Sequence, residues 1–302
     1  MRVLGRRADG YHEVTTVLQT ISLKDELEFE RTNDGIIHLT CNDRNIPTDD
    51  RNLVVRAANA LRQRYHVTSG ARVHLEKRIP TQAGLGGGSS NAAITLVALV
   101  RLWAIQPDKT ELFEIATRLG ADVPFFLYGG CARGTGTGAT IFPFGSGEKS
   151  LLKNLIVITP NASVSTAAAY AALNLPALTT PGVDPILSSS QNVANSNNLH
   201  PRSTGSLSLD ELQNDFEAVI FDIEPEIRRA KDTLSDAGAL GVLLAGSGSS
   251  VFGIFADEED QQRAIKMIDA GNGWRIFPCV TLSRDEYLHE IGPELFHFFE
   301  QG

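Results

Sequence analysis

Apolar residues alternate with polar ones early in the chain and shift to helical spacing further on. Val14, Thr16 and Leu18, then Leu27 and Phe29, keep the period of half-buried strands, so 14–23 and 25–30 are read as strand material. A turn at Asp9-Gly10 comes before them, after the end of a first strand, and Ile36 to Leu39 continue the sheet. Leu53, Ala57, Ala60 and Leu61 form one stripe of a helix over Asn52 to Tyr65. Ala71 to Leu75 return as a strand, and the apolar run Ile94 to Val100 lies in a helix from Asn91 to Trp103. Asp108 or Thr110 caps a further helix that stops at Gly120. Gly129 to Gly138 reads as a turn-rich return ahead of Ile141-Phe142-Pro143-Phe144.

Beyond a linker-like Gly145-Ser146-Gly147-Glu148, Leu155 to Thr159 open a second half with a short buried strand. The expected domains are therefore 1–150 and 151–302. Serine, asparagine, proline and threonine crowd Thr179 to Ser208, the composition of a long surface excursion. Helical periodicity returns over Leu209 to Asp222 and Pro225 to Ala237, and again from Asp257 to Ala270. Strands are expected at Ala239 to Ala245, Val251 to Phe255 and Trp274 to Thr281. There is no internal repeat.

Composition narrows the function classes. With 302 residues, 42% of them hydrophobic, the chain suits two modest domains with real cores. A net charge of −9 and no block of lysine or arginine argue against nucleic acid or an anionic membrane as partner, so any phosphate must be held locally. No apolar run has the length of a membrane span, and the first residues lack a signal-peptide core. Cys41, Cys131 and Cys279 are odd in number and lack metal-ligand spacing, which reads as reduced, mostly buried thiols in a cytoplasmic protein.

The strongest chemical signal is Pro80-Thr81-Gln82-Ala83-Gly84-Leu85-Gly86-Gly87-Gly88-Ser89-Ser90, between the strand at 71–75 and the helix at 91–103. Glycines free the backbone to turn so that bare amides at a helix start can wrap a polyphosphate. No lysine follows them as in a Walker loop, and no acidic residue is clearly placed for a dinucleotide fold. Asp122 is the one acid in the otherwise apolar segment Gly120 to Leu127. It either caps the turn before Pro124 or keeps its charge for use. Gly246 to Ser250 forms a second glycine-serine turn, either a tight hairpin or a second phosphate contact. The turn at Asp9-Gly10 presents Tyr11 and His12 side by side, to pack on a neighbouring strand or to meet a flat ligand.

The pattern Pro-x-x-x-Gly-Leu-Gly-x-x-Ser-Ser-x-Ala resembles the phosphate loop of the GHMP kinases, named for galactokinase, homoserine kinase, mevalonate kinase and phosphomevalonate kinase. Asp-Gly-Tyr-His at 9–12, Gly-Ala-Asp-Val-Pro-Phe at 120–125 and Leu-Ala-Gly-Ser-Gly-Ser-Ser at 244–250 look like one branch of that family. Its members phosphorylate a cytidine diphosphate derivative in non-mevalonate isoprenoid biosynthesis. The similarity spans about residue 2 to about 280.

The resemblance implies an α+β, two-domain fold, with an N-terminal mixed-sheet nucleotide domain and a C-terminal ferredoxin-like sandwich. It implies ATP and Mg²⁺ as cofactors, Pro80 and Gly84 to Ser90 around the phosphates, Ser90 as an indirect Mg²⁺ contact, and Asn52 and Lys77 beside the adenosine. It makes Asp122 the base. Tyr11, His12, Thr166 and Tyr170 are placed at the cytidine, with Tyr170 the other face of an aromatic clamp, and Gly246 and Ser247 close over the phosphates or the acceptor. No direct protein ligand to metal is expected, and the assembly is a monomer or weak homodimer. Family members begin with a strand of the type Ala-Lys-x-Asn-Leu-x-Leu, and this sequence opens inside it at Met1-Arg2-Val3-Leu4. That departure keeps a non-catalytic nucleotide-binding homologue in view, and a second alternative keeps the fold but changes the acceptor, to a kinase of homoserine or mevalonate type.

Overall fold

A computed structural model describes residues 1–144, 153–178, 209, 212–268 and 273–292. The expected linker at 145–148 and the excursion at 179–208 lie outside these residues.

The first half carries two sheets. Strands β1 (Arg2–Arg6), β2 (His12–Gln19), β6 (Cys131–Gly136) and β7 (Thr140–Pro143) form an antiparallel sheet in that spatial order. Strands β3 (Glu26–Thr32), β5 (Gly70–Glu76) and β4 (Ile37–Cys41) form a mixed one, β4 running parallel to β5. On β5, Ala71, Val73 and Leu75 point inward and Arg72 and His74 outward, the alternation that the sequence displays. Their buried face packs with α1 (Leu53–Tyr65), α2 (Gly87–Leu102), α3 (Lys109–Leu119) and α4 (Val123–Tyr128) in one apolar core. Helix α2 is the centre of that core, with Ala92, Ala93, Leu96, Val97, Leu99 and Val100 all buried. Covering on several sides is why its sequence is an apolar run and not a stripe.

The second half follows the order β8 (Asn154–Thr159), α5 (Thr166–Leu173), α6 (Glu217–Ile223), α7 (Pro225–Asp236), β9 (Gly241–Leu244), β10 (Val251–Phe255), α8 (Glu258–Met267) and β11 (Arg275–Val280). The antiparallel sheet runs β11-β8-β10-β9, the ferredoxin-like arrangement. One face of it meets the helices through Ile156, Ile158, Val251 and Phe255. The other presents Leu155, Val157 and Ile254 to Ile21, Leu23 and Leu85 of the first half. Both faces of β8 are therefore covered, which explains its unbroken apolar sequence.

The halves are stitched by backbone. Arg6 donates to Pro176 at 3.1 Å and accepts from Leu178 at 2.8 Å, and Ser22 donates to Val280 at 2.9 Å. Helix α9 (Arg284–Glu290) closes the seam beneath α4, where the Tyr287 hydroxyl donates to the Phe126 carbonyl at 2.6 Å.

Several elements differ from the sequence expectation, among them α4 and α5, which it does not anticipate. Gly129 to Gly138 contains β6, an inner strand, because a side chain at Gly134 would lie 3.0 Å from the Gly138 carbonyl and 3.1 Å from Thr16. The crowding that selects glycine there also erases the strand pattern. Helix α6 begins only at Glu217, since Asn214 is buried and holds its neighbours in other hydrogen bonds. Helix α9 went unread although Ser283 and Glu286 form a full capping box.

Candidate active site

Helix α2 starts at Gly87, four positions before the expected Asn91, so Gly87 to Ser90 are its first turn. Gly86 caps it in the left-handed region with φ of 67°, and no side chain takes up the first amides. The first backbone bond into the helix is donated by Ser90, to the Gly86 carbonyl at 2.9 Å. Among the described residues the amides of Leu85 to Ser89 donate to no protein acceptor, and the Ser89 and Ser90 hydroxyls are likewise unpaired. That is a cluster of donors at the positive end of a sixteen-residue helix, suited to an anion.

The glycines divide the work. At Gly84, with φ of 73°, a Cβ would sit 1.9 Å from the Ala245 carbonyl oxygen. Gly87 faces inward, its Cβ position 2.9 Å from Ile79 and 3.2 Å from the Lys77 ammonium. Only Gly88 of the three glycines at 86–88 is open, with Leu53 at 3.6 Å as its nearest neighbour.

The second glycine-serine turn is no isolated hairpin. Ser250 donates its amide to the Ala83 carbonyl at 3.1 Å, and its hydroxyl meets that of Thr159 at 2.7 Å. Asn214, which sequence reasoning overlooked, donates through its carboxamide to Leu244 at 2.9 Å and to Gly246 at 2.7 Å. Ser247 then reaches across to Thr166, hydroxyl to hydroxyl at 3.2 Å.

Asp122 stands at the start of α4 with no capping bond from its side chain. Among the described residues it has no hydrogen bond and no ion pair. Asp122 is exposed by its accessible surface, but the surface faces the cleft between the halves, and the protein crowded around that cleft raises its pKa above the ordinary carboxylate range. The same cleft, about 1610 Å³, also reaches Gly84, Ser90 and Gly246. Tyr170 lies within range of the acid: burial first and then the Asp122 charge raise the phenol pKa.

Around His12 and Tyr170 the arrangement differs from the expected clamp. His12 stacks directly on Tyr170, centroids 4.5 Å apart and planes 18° apart, so no third ring fits between them. Phe216 meets the Tyr170 ring edge-on at 4.9 Å, a neighbour that the sequence did not disclose. Tyr11 makes no ring contact and is 66% exposed, an apolar face left open beside the stack. Burial, with Arg6 nearby, lowers the His12 pKa and favours the neutral imidazole.

Two other expected site residues are engaged by the protein itself. Asn52 caps α1, accepting from the Val54 amide at 2.9 Å and donating to Pro47 at 2.8 Å. The Lys77 side chain is 8% exposed, pairs at 2.7 Å with Asp25, itself 1% exposed, and also donates to the Ile79 carbonyl. Pro80 is buried where the chain leaves this pair for the loop.

Residues 52–130 match the GHMP kinases N terminal domain, and residues 200–272 match the GHMP kinases C terminal domain. The chain belongs to the GHMP kinases. A 4-diphosphocytidyl-2-C-methyl-D-erythritol kinase of Prosthecochloris aestuarii is 38% identical over 92% of each chain, and one of Syntrophus aciditrophicus is 37% identical over 93% of this chain and 94% of that one. A crystal structure of a 4-(cytidine 5'-diphospho)-2C-methyl-D-erythritol kinase aligns with a TM-score of 0.70 at 33% identity, covering 92% and 94% of the two chains. A Methanococcus jannaschii mevalonate kinase shares the fold, with a TM-score of 0.65 at 16% identity over 91% and 93%. Within the GHMP kinases, this chain belongs to the 4-diphosphocytidyl-2-C-methyl-D-erythritol kinase family.

The glycine geometry separates two substitutions. Gly84→Ala should lower the melting temperature sharply, because the methyl meets backbone and the left-handed φ adds strain. Gly88→Val should melt much like the parent yet bind ADP more weakly in a calorimetric titration, since it adds bulk at the open position of the amide cluster. Undiminished ADP binding by folded Gly88→Val would take that face of the loop out of the phosphate site.

Asp122 supplies a stability test. Its folded-state pKa lies above the unfolded value, so the native state holds the extra proton between the two, and stability falls as pH rises through that window. Above it, the ionised carboxylate is a standing cost that Asp122→Asn removes. The variant should melt higher than the parent at about pH 8, with the difference closing below the ordinary carboxylate pKa of about 4. A lower melting temperature at the higher pH would show that the carboxylate stabilises the fold.

Proposed function

We propose that the chain transfers the γ-phosphoryl group of ATP to the 2-hydroxyl of 4-diphosphocytidyl-2-C-methyl-D-erythritol, a step of non-mevalonate isoprenoid biosynthesis. The supporting observation is a convergence in space. Tyr170 stacks on His12 and lies within range of the Asp122 charge, and Asp122 shares one cleft with Gly84, Leu85, Gly86 and Ser90 of the glycine loop. A homoserine or mevalonate acceptor has no base to meet the aromatic end of that arrangement.

Phosphoryl transfer asks the protein for position and charge more than for covalent chemistry. The loop amides and first turn of α2 hold the β- and γ-phosphates by backbone charge. Gly246 and Ser247, pinned by Asn214, close over them from the second half. Asp122 accepts the proton of the attacking hydroxyl, and a raised pKa brings a carboxylate nearer to a hydroxyl in proton affinity. The cytosine stacks at Tyr11, and neutral His12 offers its ring nitrogens to the base edge. Mg²⁺ would neutralise phosphate charge when bound, and the Ser90 hydroxyl, unpaired among the described residues, is the side chain that would stand beside it. Residues 1–150 act as the ATP-binding domain and 151–302 as its partner. No helix among the described residues is long and apolar enough to cross a membrane, and we place the enzyme in the cytoplasm as a monomer or weak homodimer.

Phosphorus NMR of the chain with ATP and the cytidine substrate tests the reading, with homoserine and mevalonate as rival acceptors. Asp122→Asn should keep both substrates bound while turnover falls by roughly 10²–10⁴, the contribution of a general base. Tyr11→Ala should raise KM for the cytidine substrate by about 5- to 100-fold with little change in KM for ATP, as loss of one stacked base implies. Phosphorylation of homoserine or mevalonate in preference to the cytidine substrate would overturn the assignment.

A further inference from the structure

Asp25 belongs to no motif, yet it stands in the wall of the same cleft as Gly84 and Ser90 and is the most fully engaged carboxylate near the site. Its Oδ1 accepts from the amides of Arg78 and Ile79, each at 2.7 Å. Its Oδ2 accepts from the Lys77 ammonium at 2.7 Å and from the Asn91 carboxamide at 2.9 Å. Four donors fill the acceptor capacity of a carboxylate that is 1% exposed.

The chain positions of those donors matter more than their number. Arg78 and Ile79 lead into Pro80, where the glycine loop begins, and Asn91 lies in the first turns of α2, where it ends. One carboxylate, set just before β3, therefore ties down both ends of residues 80–90. Lys77 adds a charge beneath the loop: its ammonium is 3.2 Å from the place of a Cβ on Gly87, under the first turn of α2. Asp25 holds it there against the cost of burial. Asn91 is 4% exposed and Thr95, one turn on, returns its hydroxyl to the Asn91 carbonyl at 2.7 Å, so the helix end of the tie is rigid.

We propose that Asp25 is a positioning residue for nucleotide binding, which sets the spacing and direction of the loop amides through Ile79 and Asn91 and fixes Lys77 under the cradle. The inference rests on the reading of residues 84–90 as the ATP phosphate loop. It concerns the nucleotide alone and carries no claim about the acceptor.

The test is ADP affinity of the folded protein by calorimetry, together with KM for ATP and for the cytidine substrate. Asp25→Asn keeps the shape and both backbone acceptances but turns an amide towards the Lys77 ammonium and the Asn91 carboxamide. Asn91→Ala removes one bond and leaves the ion pair intact. ADP affinity and KM for ATP should each worsen about tenfold or more in Asp25→Asn and less in Asn91→Ala, in line with loss of a charge-assisted bond. KM for the cytidine substrate should stay within about twofold. A purely structural role would lower both melting temperatures and leave ADP affinity unchanged well below them, and that result overturns the proposal. If Asp25→Asn does not fold, unchanged ADP affinity in Asn91→Ala overturns it alone. Parent protein that phosphorylates the cytidine substrate, beside variants that bind ADP normally, would sink this inference and spare the kinase reading. Parent protein that binds no ADP would sink both.

Discussion

The site depends on two stretches of backbone approaching more closely than any side chain allows. Gly84 lies against the Ala245 carbonyl, and the Ala83 carbonyl accepts from the Ser250 amide at 3.1 Å. The first stretch belongs to the helical half and the second to the ferredoxin-like half. Their contact brings the α2 amide cluster and the Gly246 turn to one place. Each loop is then braced from behind by a polar side chain buried in its own half, Asp25 for the first and Asn214 for the second. Glycine makes the approach possible, and the braces stop the freedom it brings from becoming disorder of the cradle.

Charge is distributed with the same economy. The buried Lys77 and Asp25 cancel at a distance while leaving the positive end beneath the loop, and the loop presents amides. Asp122 has the opposite circumstances, a carboxylate exposed to the cleft that no described residue neutralises and whose pKa the surrounding protein raises. An unpaired acid with a raised pKa in a cleft is the pattern that marks a candidate functional group.

What could be read from the sequence follows from where side-chain pattern and physical role coincide. The strand at 71–75 and the helix from Asn52 were legible because their apolar positions face a core, whereas the ferredoxin-like order came from the resemblance alone. The glycine loop and Asp122 were legible because their composition is unusual for their surroundings. Strand β6 was hidden because close packing at Gly134 forbids the residues that mark a strand. Asp25, Asn214 and Phe216 were hidden for another reason: nothing local distinguishes them. Asp25 looks like any polar residue before a strand until β5 and α2 close around it. The internal bonds of Lys77 and Asn52, which the resemblance sets beside the adenosine, were hidden in the same way. The fold gives both side chains to its own backbone and to Asp25.

The stacked His12 and Tyr170 extend this logic to the acceptor end. The two rings come from opposite halves, His12 from the start of β2 and Tyr170 from α5, so their contact is another bond across the seam. Phe216, edge-on to Tyr170, is two residues from Asn214, whose carbonyl oxygen accepts the Phe216 amide at 3.1 Å and whose amide group holds the Gly246 turn. A short rigid chain of contacts thus runs from the aromatic stack to the Gly246 turn. Ordering that stack and ordering that turn draw on the same buried groups. Asn214 holds the turn through its carboxamide nitrogen and the stack, by way of Phe216, through its carboxamide oxygen, so the two ends of the seam are built to one frame.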